Sequence, residues 1–191
     1  GILPPEELEE LTEIVKANGG QVSYKQNPDG TDSPYELNIT YVDAILADKT
    51  STRADKFLAS QAIQYVLPGV PATYIHSLLG SRNWIQGVEK TGRARTVNRE
   101  KIQAEYLLAE LKDPASFRSM VFYPYIDLIK IRKRQKAFHP NAAFEVLDID
   151  SRIFAIKRYA ADQTVYALTN ISSTEVSLSL AGETTPDRMT D

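Results

Sequence analysis

The stretch GVPATYIHSLLGSRNW, at positions 69–84, joins an apolar run to side chains that could do chemistry. The apolar run contains β-branched and aromatic residues without strict alternation, which predicts a buried strand covered on both faces. Polar side chains follow at its end, namely His76, Ser77, Ser81, Arg82 and Asn83. A buried strand would deliver them to one edge of a sheet, so the sequence predicts a polar site there.

Arginines crowd the segment that follows this stretch. They are Arg82, Arg93, Arg95 and Arg99. A guanidinium is a planar fork of donors that binds two oxygens of a phosphate or carboxylate at once. The cluster therefore suits an anionic ligand, and the alternative is surface ion pairing with Glu89 and Glu100.

Two carboxylates also lie close together, at Asp29 and Asp32 in the segment QNPDGTDSP, positions 26–34. Its Asn-Pro, Asp-Gly and Ser-Pro pairs disfavour regular structure, so the whole segment is predicted to be a loop. We interpret the two aspartates as turn residues and not as an acid and base pair. The chain contains no cysteine, which excludes thiolate metal sites, and no metal or organic cofactor is predicted.

Helices and strands alternate in the first two thirds of the chain. Helices are predicted at 4–20, 51–67, 98–111 and from 113 to about 136. Asn98 is the expected cap of the third helix, and Pro124 is expected to bend or interrupt the fourth. A short strand is predicted at 21–25. The segment 35–47 is ambiguous, but apolar residues at fourfold spacing favour a helix.

The last third of the chain changes character. Short β-rich runs separated by polar turns lie at 144–150, 152–160, 164–172 and 175–181. They predict an antiparallel β module. We therefore divide the chain into an α/β part at 1–136 and a small antiparallel β domain at 137–191.

The composition excludes several classes of protein. With 191 residues and 42% hydrophobic content, the chain suits one domain or one and a half. A net charge of −3 gives no general attraction to nucleic acid or to an anionic membrane, and no apolar stretch is long enough to span a bilayer. The basic run KIRKRQK at 130–136 is interpreted as the solvated end of a helix. A cytoplasmic location is expected.

Three separated motifs carry a resemblance to a known family. They are NPDGTDSPYELNITYVDAI at 27–45, ADKFLASQAIQYVLPGVPATYIHSLLGSRN at 54–83 and TGRARTVNREKI at 91–102. In this order they resemble the sucrose phosphorylase branch of glycoside hydrolase family 13, and the similarity extends from about Leu3 to Ser179. The resemblance implies the C-terminal part of a TIM (β/α) barrel, with its final strand at about 71–76, followed by a small antiparallel β domain that lacks its last strand.

The resemblance also implies the chemistry. A carboxylate attacks the anomeric carbon, a glutamic acid protonates the leaving oxygen, and phosphate then accepts the glucosyl group to give glucose 1-phosphate. The family places these carboxylates on earlier strands, so no catalytic residue is assigned in this chain, which is expected to be inactive alone. The expected partners are a small sugar donor, inorganic phosphate and the remainder of the barrel. The oligomeric state, monomer or homodimer, stays open.

Binding residues transfer from the family motifs position by position. A loop tyrosine falls on Tyr35, and Glu36 replaces a glutamine of sucrose-specific members, which suits a hydroxyl-rich acceptor such as glycerol. A phosphate-contacting arginine falls on Arg93 or Arg95. The barrel rim falls on His76, Arg82 and Asn83.

Several alternatives stay open at this stage. The acceptor is glycerol, glycerate, fructose or fructose 6-phosphate. Glu36 is otherwise a first-turn helix carboxylate stabilised by the helix dipole, and His76 is otherwise hydrogen-bonded beneath a loop. The other candidate functions are a family 13 α-glucosidase or transglucosidase, or a non-catalytic fragment with a carbohydrate-adjacent surface.

Overall fold

The structure is a computed structural model that describes residues 3–46 and 54–178. It confirms the first predicted helix, for which the sequence has strong signals at both ends. Helix α1 spans Pro5–Ala17, with Pro5 at its first position, acidic residues in its first turn and Lys16 in its last. These charges complement the helix dipole. Val15 and Thr12 face the interior.

The remaining elements follow the α/β-then-β order expected. They are β1 Gln21–Gln26, β2 Asp32–Asn38, α2 Tyr41–Ile45, α3 Ala54–Val66, α4 Ile75–Leu78, α5 Ile85–Thr91, the 3₁₀ helix η1 Ala94–Asn98, α6 Ala104–Lys112, α7 Phe117–Arg134, the 3₁₀ helix η2 Lys136–Phe138, β3 Ala143–Leu147, β4 Ile153–Ala160 and β5 Gln163–Asn170. Strands β1 and β2 form an antiparallel hairpin, and the last three strands form an antiparallel sheet in the order β3-β4-β5.

The main apolar core lies between α3 and α7. Phe57, Tyr65 and Tyr125 are each at most 5% exposed, and the Tyr125 ring makes edge contacts with the other two at 6.4 and 5.7 Å. The Tyr125 hydroxyl donates to Gln61 Oε1 at 2.7 Å, so the buried phenol is satisfied. Helix α7 continues through Pro124 and is not interrupted there.

Buried arginines join the antiparallel sheet to the helices. Arg158 of β4 is fully buried and donates to the carbonyls of Val66 and His139 at 2.8 and 3.0 Å. Arg132 of α7 donates to the carbonyls of Tyr65 and Gly69. Of these acceptors, the carbonyls of Tyr65, Val66 and Gly69 lie at or just beyond the C-terminal end of α3, where the helix dipole is negative.

The buried strand predicted within the stretch 69–84 is wrong at residues 75–78. The structure has the short helix α4 at Ile75–Leu78, preceded by a segment in which Tyr74 has extended backbone angles, φ −80° and ψ 132°. A strand exists only when its N–H and C=O groups pair with a neighbour. No described strand pairs with this segment, and the Ala72 carbonyl accepts from the side chain of Gln64 instead.

The loop and helix predictions around residues 26–47 are partly wrong. Strand β2 includes the last part of the predicted loop, from Asp32, and also the first half of the segment that favoured a helix. Pairing with β1 outweighs the turn preference of Ser33 and Pro34, because β1 pairs with β2 on both sides of an irregularity at Tyr35. Only the second half of that segment is helical, in α2, and residue 47 lies outside the described residues.

Two further boundaries differ from the predictions. Helix α6 begins at Ala104 and not at 98, and Asn98 ends the 3₁₀ helix η1 without capping α6. Residues 175–178, within the fourth predicted β run, form no strand, and the rest of that run and of the chain lies outside the described residues.

Candidate functional site

A buried carboxylate organises the region around the predicted site residues. Asp43 on α2 is 4% exposed. Its Oδ1 accepts from Arg82 Nε and its Oδ2 from the backbone N–H of Asn83, both at 2.5 Å. Thr40 caps α2 through its hydroxyl, which accepts from the Asp43 N–H at 3.3 Å. We call Thr40, Asp43, Arg82 and Asn83 the Asp43 network.

Asn83 extends the Asp43 network to the end of α1. Its Oδ1 accepts from the Thr40 N–H at 2.8 Å, and its Nδ2 donates to the Asn18 carbonyl at 3.1 Å. The Arg82 guanidinium also lies over the Phe117 ring, 5.5 Å from its centroid. The structure therefore supplies both Arg82 and Asn83 with partners inside the protein. Their roles as ligand contacts stay predictions.

A second buried charge lies on the other side of the same loop. Arg118 of α7 is 9% exposed and donates to Glu110 at 2.6 Å, to both oxygens of Glu100 at 2.8 and 3.0 Å, and to Ser81 Oγ at 3.1 Å. The two carboxylates outweigh the burial that alone would lower the pKa of Arg118, so this pKa is raised. We call Arg118, Glu100, Glu110, Ser81 and His76 the Arg118 cluster.

His76 belongs to this cluster. Its Nδ1 lies 3.0 Å from Ser81 Oγ, and the Tyr74 ring meets its ring edge to face at 5.2 Å. Burial lowers the pKa of His76, while Glu100 raises it and Arg118 lowers it. The contact between His76 and Ser81 fits the alternative interpretation, in which His76 is hydrogen-bonded beneath a loop. A ligand role for His76 stays a prediction.

A glycine makes the loop between His76 and Arg82 possible. Gly80 has φ +59°, in the left-handed region that favours glycine. A Cβ there would also lie 3.1 Å from Val121 Cβ. The following Ser81 N–H donates to the His76 carbonyl at 2.8 Å, which closes the turn. The turn holds Ser81 between the Asp43 network and the Arg118 cluster.

The hairpin residues and the arginine segment meet at the protein surface. Arg95 Nε lies 3.5 Å from Glu36 Oε1, and Tyr35 is 70% exposed. Arg93 is exposed, and no described carboxylate lies within ion-pair distance of it. We call Tyr35, Glu36, Arg93 and Arg95 the hairpin cluster, in which the contact that the structure gives is the one between Glu36 and Arg95. Its exposed hydroxyl, carboxylate and guanidinium groups can bind hydroxyls and anions.

Several interpretations of these residues can now be decided. Glu36 lies in strand β2, so its alternative interpretation as a helix first-turn carboxylate is wrong. The alternative of surface ion pairing with Glu89 and Glu100 is wrong in its partners among the described residues, because Glu100 pairs with Arg118 and Arg95 pairs with Glu36. Asp29 accepts from Thr31, which keeps the pKa of this turn carboxyl below its usual range.

Arg118 and Glu110 are the residues that sequence reasoning missed. Their partners lie up to 39 positions away along the chain, as in the bond from Arg118 Nη1 to the Leu79 carbonyl. No local spacing reveals such a contact. One feature of the sequence could have pointed to Arg118: it lies in the first turn of a helix. A positive charge is disfavoured there unless carboxylates surround it.

The remaining surface offers two clefts. One, of about 360 Å³, lies between α3, α7 and the extended segment before α4, and the other, of about 490 Å³, lies beside Arg132 and Phe138. Ser77 lines the first cleft, and none of the other predicted site residues lines either one. No described group of three or more His, Asp or Glu side chains could hold a metal ion, and no helix within residues 3–46 and 54–178 is long and apolar enough to cross a membrane.

Similarity to known proteins covers nearly all of the chain. It is 49% identical to a glucosylglycerate phosphorylase of Spirochaeta thermophila over 179 residues, which are 92% of this chain and 30% of the relative. It is 43% identical to a glucosylglycerate phosphorylase of Escherichia coli, over 85% of this chain and 29% of the relative. The chain thus spans about 30% of the length of these curated relatives.

The chain also resembles a solved structure over most of its length. A crystal structure of a sucrose 6F-phosphate phosphorylase from Thermoanaerobacter thermosaccharolyticum matches with a TM-score of 0.73 at 23% identity, over 90% of this chain and 33% of that chain. At this identity the match establishes the fold. No protein-family model matches the chain.

The Asp43 network generates a stability prediction. Asp43→Asn removes the charge opposite Arg82 and places an amide where two N–H donors converge. We expect a loss of about 2–4 kcal/mol in the free energy of unfolding, because removing one partner leaves a poorly solvated charge uncompensated. Urea denaturation measures it. The matched control is Asp127→Asn, which removes an exposed i,i+3 ion pair and should cost less than about 1 kcal/mol. Equal losses would contradict the prediction.

The lowered pKa of His76 generates a pH prediction. Unfolded His76 binds a proton near its ordinary pKa of 6.5, whereas folded His76 binds it only at lower pH. Its stabilisation is therefore complete above pH 6.5 and is lost as pH falls through the folded pKa. Between pH 7.5 and 5.5, His76→Gln should lose less free energy of unfolding than the wild type. Identical losses in His76→Gln and the wild type would refute this interpretation.

Proposed function

Because this chain belongs to the sucrose phosphorylase-like branch of glycoside hydrolase family 13, and corresponds to a C-terminal portion of such enzymes, we propose that its parent protein is a retaining α-glucoside phosphorylase. Its donor is glucosylglycerate, and it transfers the glucosyl group to inorganic phosphate. The observation that carries this donor is the 49% identity to a glucosylglycerate phosphorylase. The hairpin cluster supports it with groups that match the two parts of glycerate.

Glycerate combines a carboxylate with hydroxyl groups, and the hairpin cluster offers a partner for each. The carboxylate of Glu36 can accept from two hydroxyls. A guanidinium can donate to both oxygens of a carboxylate. Fructose, the group released from sucrose, has hydroxyls but no charge, so an anion-binding arginine favours glycerate over fructose.

Arg93 is the better candidate for the anion-binding residue. Arg95 is already opposed by Glu36 at 3.5 Å, which partly neutralises it. Arg93 is exposed and has no such opposing carboxylate among the described residues. In a phosphorylase the leaving acceptor and the incoming phosphate occupy the same side of the glucosyl group in turn. One arginine therefore serves two anions, glycerate and phosphate.

The catalytic steps follow from the family resemblance. A carboxylate attacks the anomeric carbon while an acid gives its proton to the glycerate oxygen, which departs. Phosphate then attacks the same carbon from the vacated side and breaks its bond to the carboxylate, the phosphate proton passes to the conjugate base of the acid, and the configuration is retained. The carboxylates belong to parts of the protein outside this chain. The role of this chain is to bind the acceptor and phosphate.

The helical part, within 1–136, is proposed to complete a TIM barrel with the rest of the protein. The extended segment 71–74 is then the last barrel strand, whose partners come from outside this chain. Support comes from the extended angles of Tyr74 and from apolar residues left in solvent beside it, Val70 at 82% and Ile75 at 54% exposure. In such a barrel, residues that follow the strand lie at the face that carries the active site.

A donor assay tests the proposed function. The full-length protein that carries this sequence should form glucose 1-phosphate from glucosylglycerate and phosphate, faster than from sucrose, glucosylglycerol or sucrose 6-phosphate. Product is measured by enzyme-coupled assay. Free glucose released at the same rate without phosphate would make the protein a hydrolase, and a preference for sucrose would overturn the assigned donor.

Substitution of Arg93 tests the acceptor site. In the reverse direction, Arg93→Ala should lower kcat/KM for glycerate relative to glycerol by roughly 10- to 100-fold, because a hydrogen bond to a charged group contributes about 1.5–3 kcal/mol. Both reactions use glucose 1-phosphate, so the ratio isolates the glycerate carboxylate. Arg95→Ala should change the ratio less. Arg134→Ala, a lost charge at the end of α7, is the control. An unchanged ratio in Arg93→Ala would exclude the role.

A further inference from the structure

The hydroxyl of Ser81 has two polar neighbours, of which one can only donate a hydrogen bond and the other can donate or accept one. Ser81 is 2% exposed, and its Oγ lies 3.1 Å from Arg118 Nη1 and 3.0 Å from His76 Nδ1. A guanidinium has donors only, so Ser81 Oγ accepts from Arg118. The serine proton then remains for the other neighbour, the imidazole nitrogen of His76.

The direction of the first bond cannot be reversed. Arg118 is always charged, and its N–H groups also reach the carboxylates of Glu100 and Glu110 and the Leu79 carbonyl. These acceptors surround the guanidinium and fix its orientation. Ser81 therefore always receives a proton donor from the Arg118 side.

The opposite arrangement at the second bond would leave a buried group unsatisfied. If His76 Nδ1 carried the proton and donated to Ser81, the serine hydroxyl proton would have no acceptor among the described residues. A buried donor without a partner is costly, because folding removes it from water without replacing its hydrogen bond. The arrangement in which Ser81 donates to Nδ1 satisfies both groups.

The surrounding structure limits the alternatives open to the imidazole ring. The Ser81 N–H donates to the His76 carbonyl at 2.8 Å, which fixes the turn between them. On the other side, the Tyr74 ring contacts the His76 ring, and the Tyr74 hydroxyl donates to the Asn98 carbonyl at 3.0 Å. The His76 ring is thus held between two anchored residues.

We propose that Arg118, acting through Ser81, fixes the nitrogen roles of His76, so that Nδ1 accepts from Ser81 and Nε2 carries the proton. Arg118 and Ser81 are then positioning residues. His76 presents a neutral N–H donor at Nε2, suited to an oxygen of a hydroxyl or an anion, and it is not a general base. Burial, which lowers the pKa of His76, keeps the ring neutral near pH 7.

This assignment of the ring nitrogens does not depend on the proposed function. One consequence of the assignment rests on the proposed function, namely a hydrogen bond from Nε2 to a sugar or acceptor oxygen at the barrel rim. A failure of the donor assay would leave the assignment intact. A failure of the assignment would equally leave phosphorolysis intact.

Long-range ¹H–¹⁵N NMR of the imidazole rings tests the proposal. The test uses the full-length protein that carries this sequence, in which the signals that disappear in His76→Gln are those of His76. At pH 8, with histidine-labelled protein, Nδ1 of His76 should resonate as an unprotonated nitrogen and Nε2 as a protonated one. In Ser81→Ala, the population with the proton on Nδ1 should rise about fivefold, because one neutral hydrogen bond that favoured the other form is lost.

Matched controls separate positioning from a general structural role. His139 Nδ1 accepts from the Asn141 N–H at 3.2 Å, so its signals should not change in Ser81→Ala. Ser81→Thr keeps the hydroxyl and should restore the wild-type nitrogen pattern. Ser81→Ala leaves Arg118 Nη1 its bond to the Leu79 carbonyl at 3.1 Å, which favours retention of the fold.

Two results would overturn the proposal. One is a wild-type spectrum in which Nδ1 of His76 is protonated. The other is a Ser81→Ala spectrum in which the His76 nitrogen pattern is unchanged while that of His139 confirms a folded protein. If Ser81→Ala does not fold, the wild-type spectrum and the pattern in Ser81→Thr still decide between the two nitrogen assignments.

Discussion

Two N–H donors converge on the buried carboxylate of Asp43, and the loop that carries the predicted rim residues depends on this contact. A carboxylate at 4% exposure must replace its lost hydration with donors from the protein. The donors come from Arg82 and from the backbone of Asn83. Because Asn83 also bonds to Thr40 and to the Asn18 carbonyl, one charge ties α1, α2 and this loop together.

The Arg118 cluster holds the opposite side of the same loop with the opposite charge. Ser81 lies between the two, bonded to Arg118 and closed by its own N–H onto His76. Ser81 and Asn83 therefore bond within the protein, whereas Arg82 bonds to Asp43 through Nε and its side chain stays 29% exposed. In the hairpin cluster, by contrast, Arg93 and Tyr35 are exposed.

The attachment of the antiparallel sheet follows a different physical rule. Its central strand places Arg158 in the interior without a described carboxylate partner. The guanidinium donates to the carbonyls of Val66 and His139 and lies over the face of the Phe138 ring. Burial lowers the pKa of Arg158, and Arg132 nearby lowers it further. The C-terminal end of α3 offsets part of this cost, since its carbonyls form the negative pole of a helix dipole. The β module thus rests on the helices through hydrogen bonds to a helix terminus.

The helices and strands that local sequence signals specify could be predicted from the sequence alone. Helix α1 has a proline start and acidic first turn, β1 is a short polar-flanked run, and the strands β3, β4 and β5 are separated by turns, so each forms from information within a few residues. The three motifs also determined the family. Tertiary structure decided whatever needed a distant partner: residues 71–74 form no strand, because a strand requires a paired neighbour and no described strand pairs with them. It likewise placed Glu36 on a strand opposite Arg95, and joined Arg118 to His76 through Ser81, since burial and pairing of charges are properties of the packed chain.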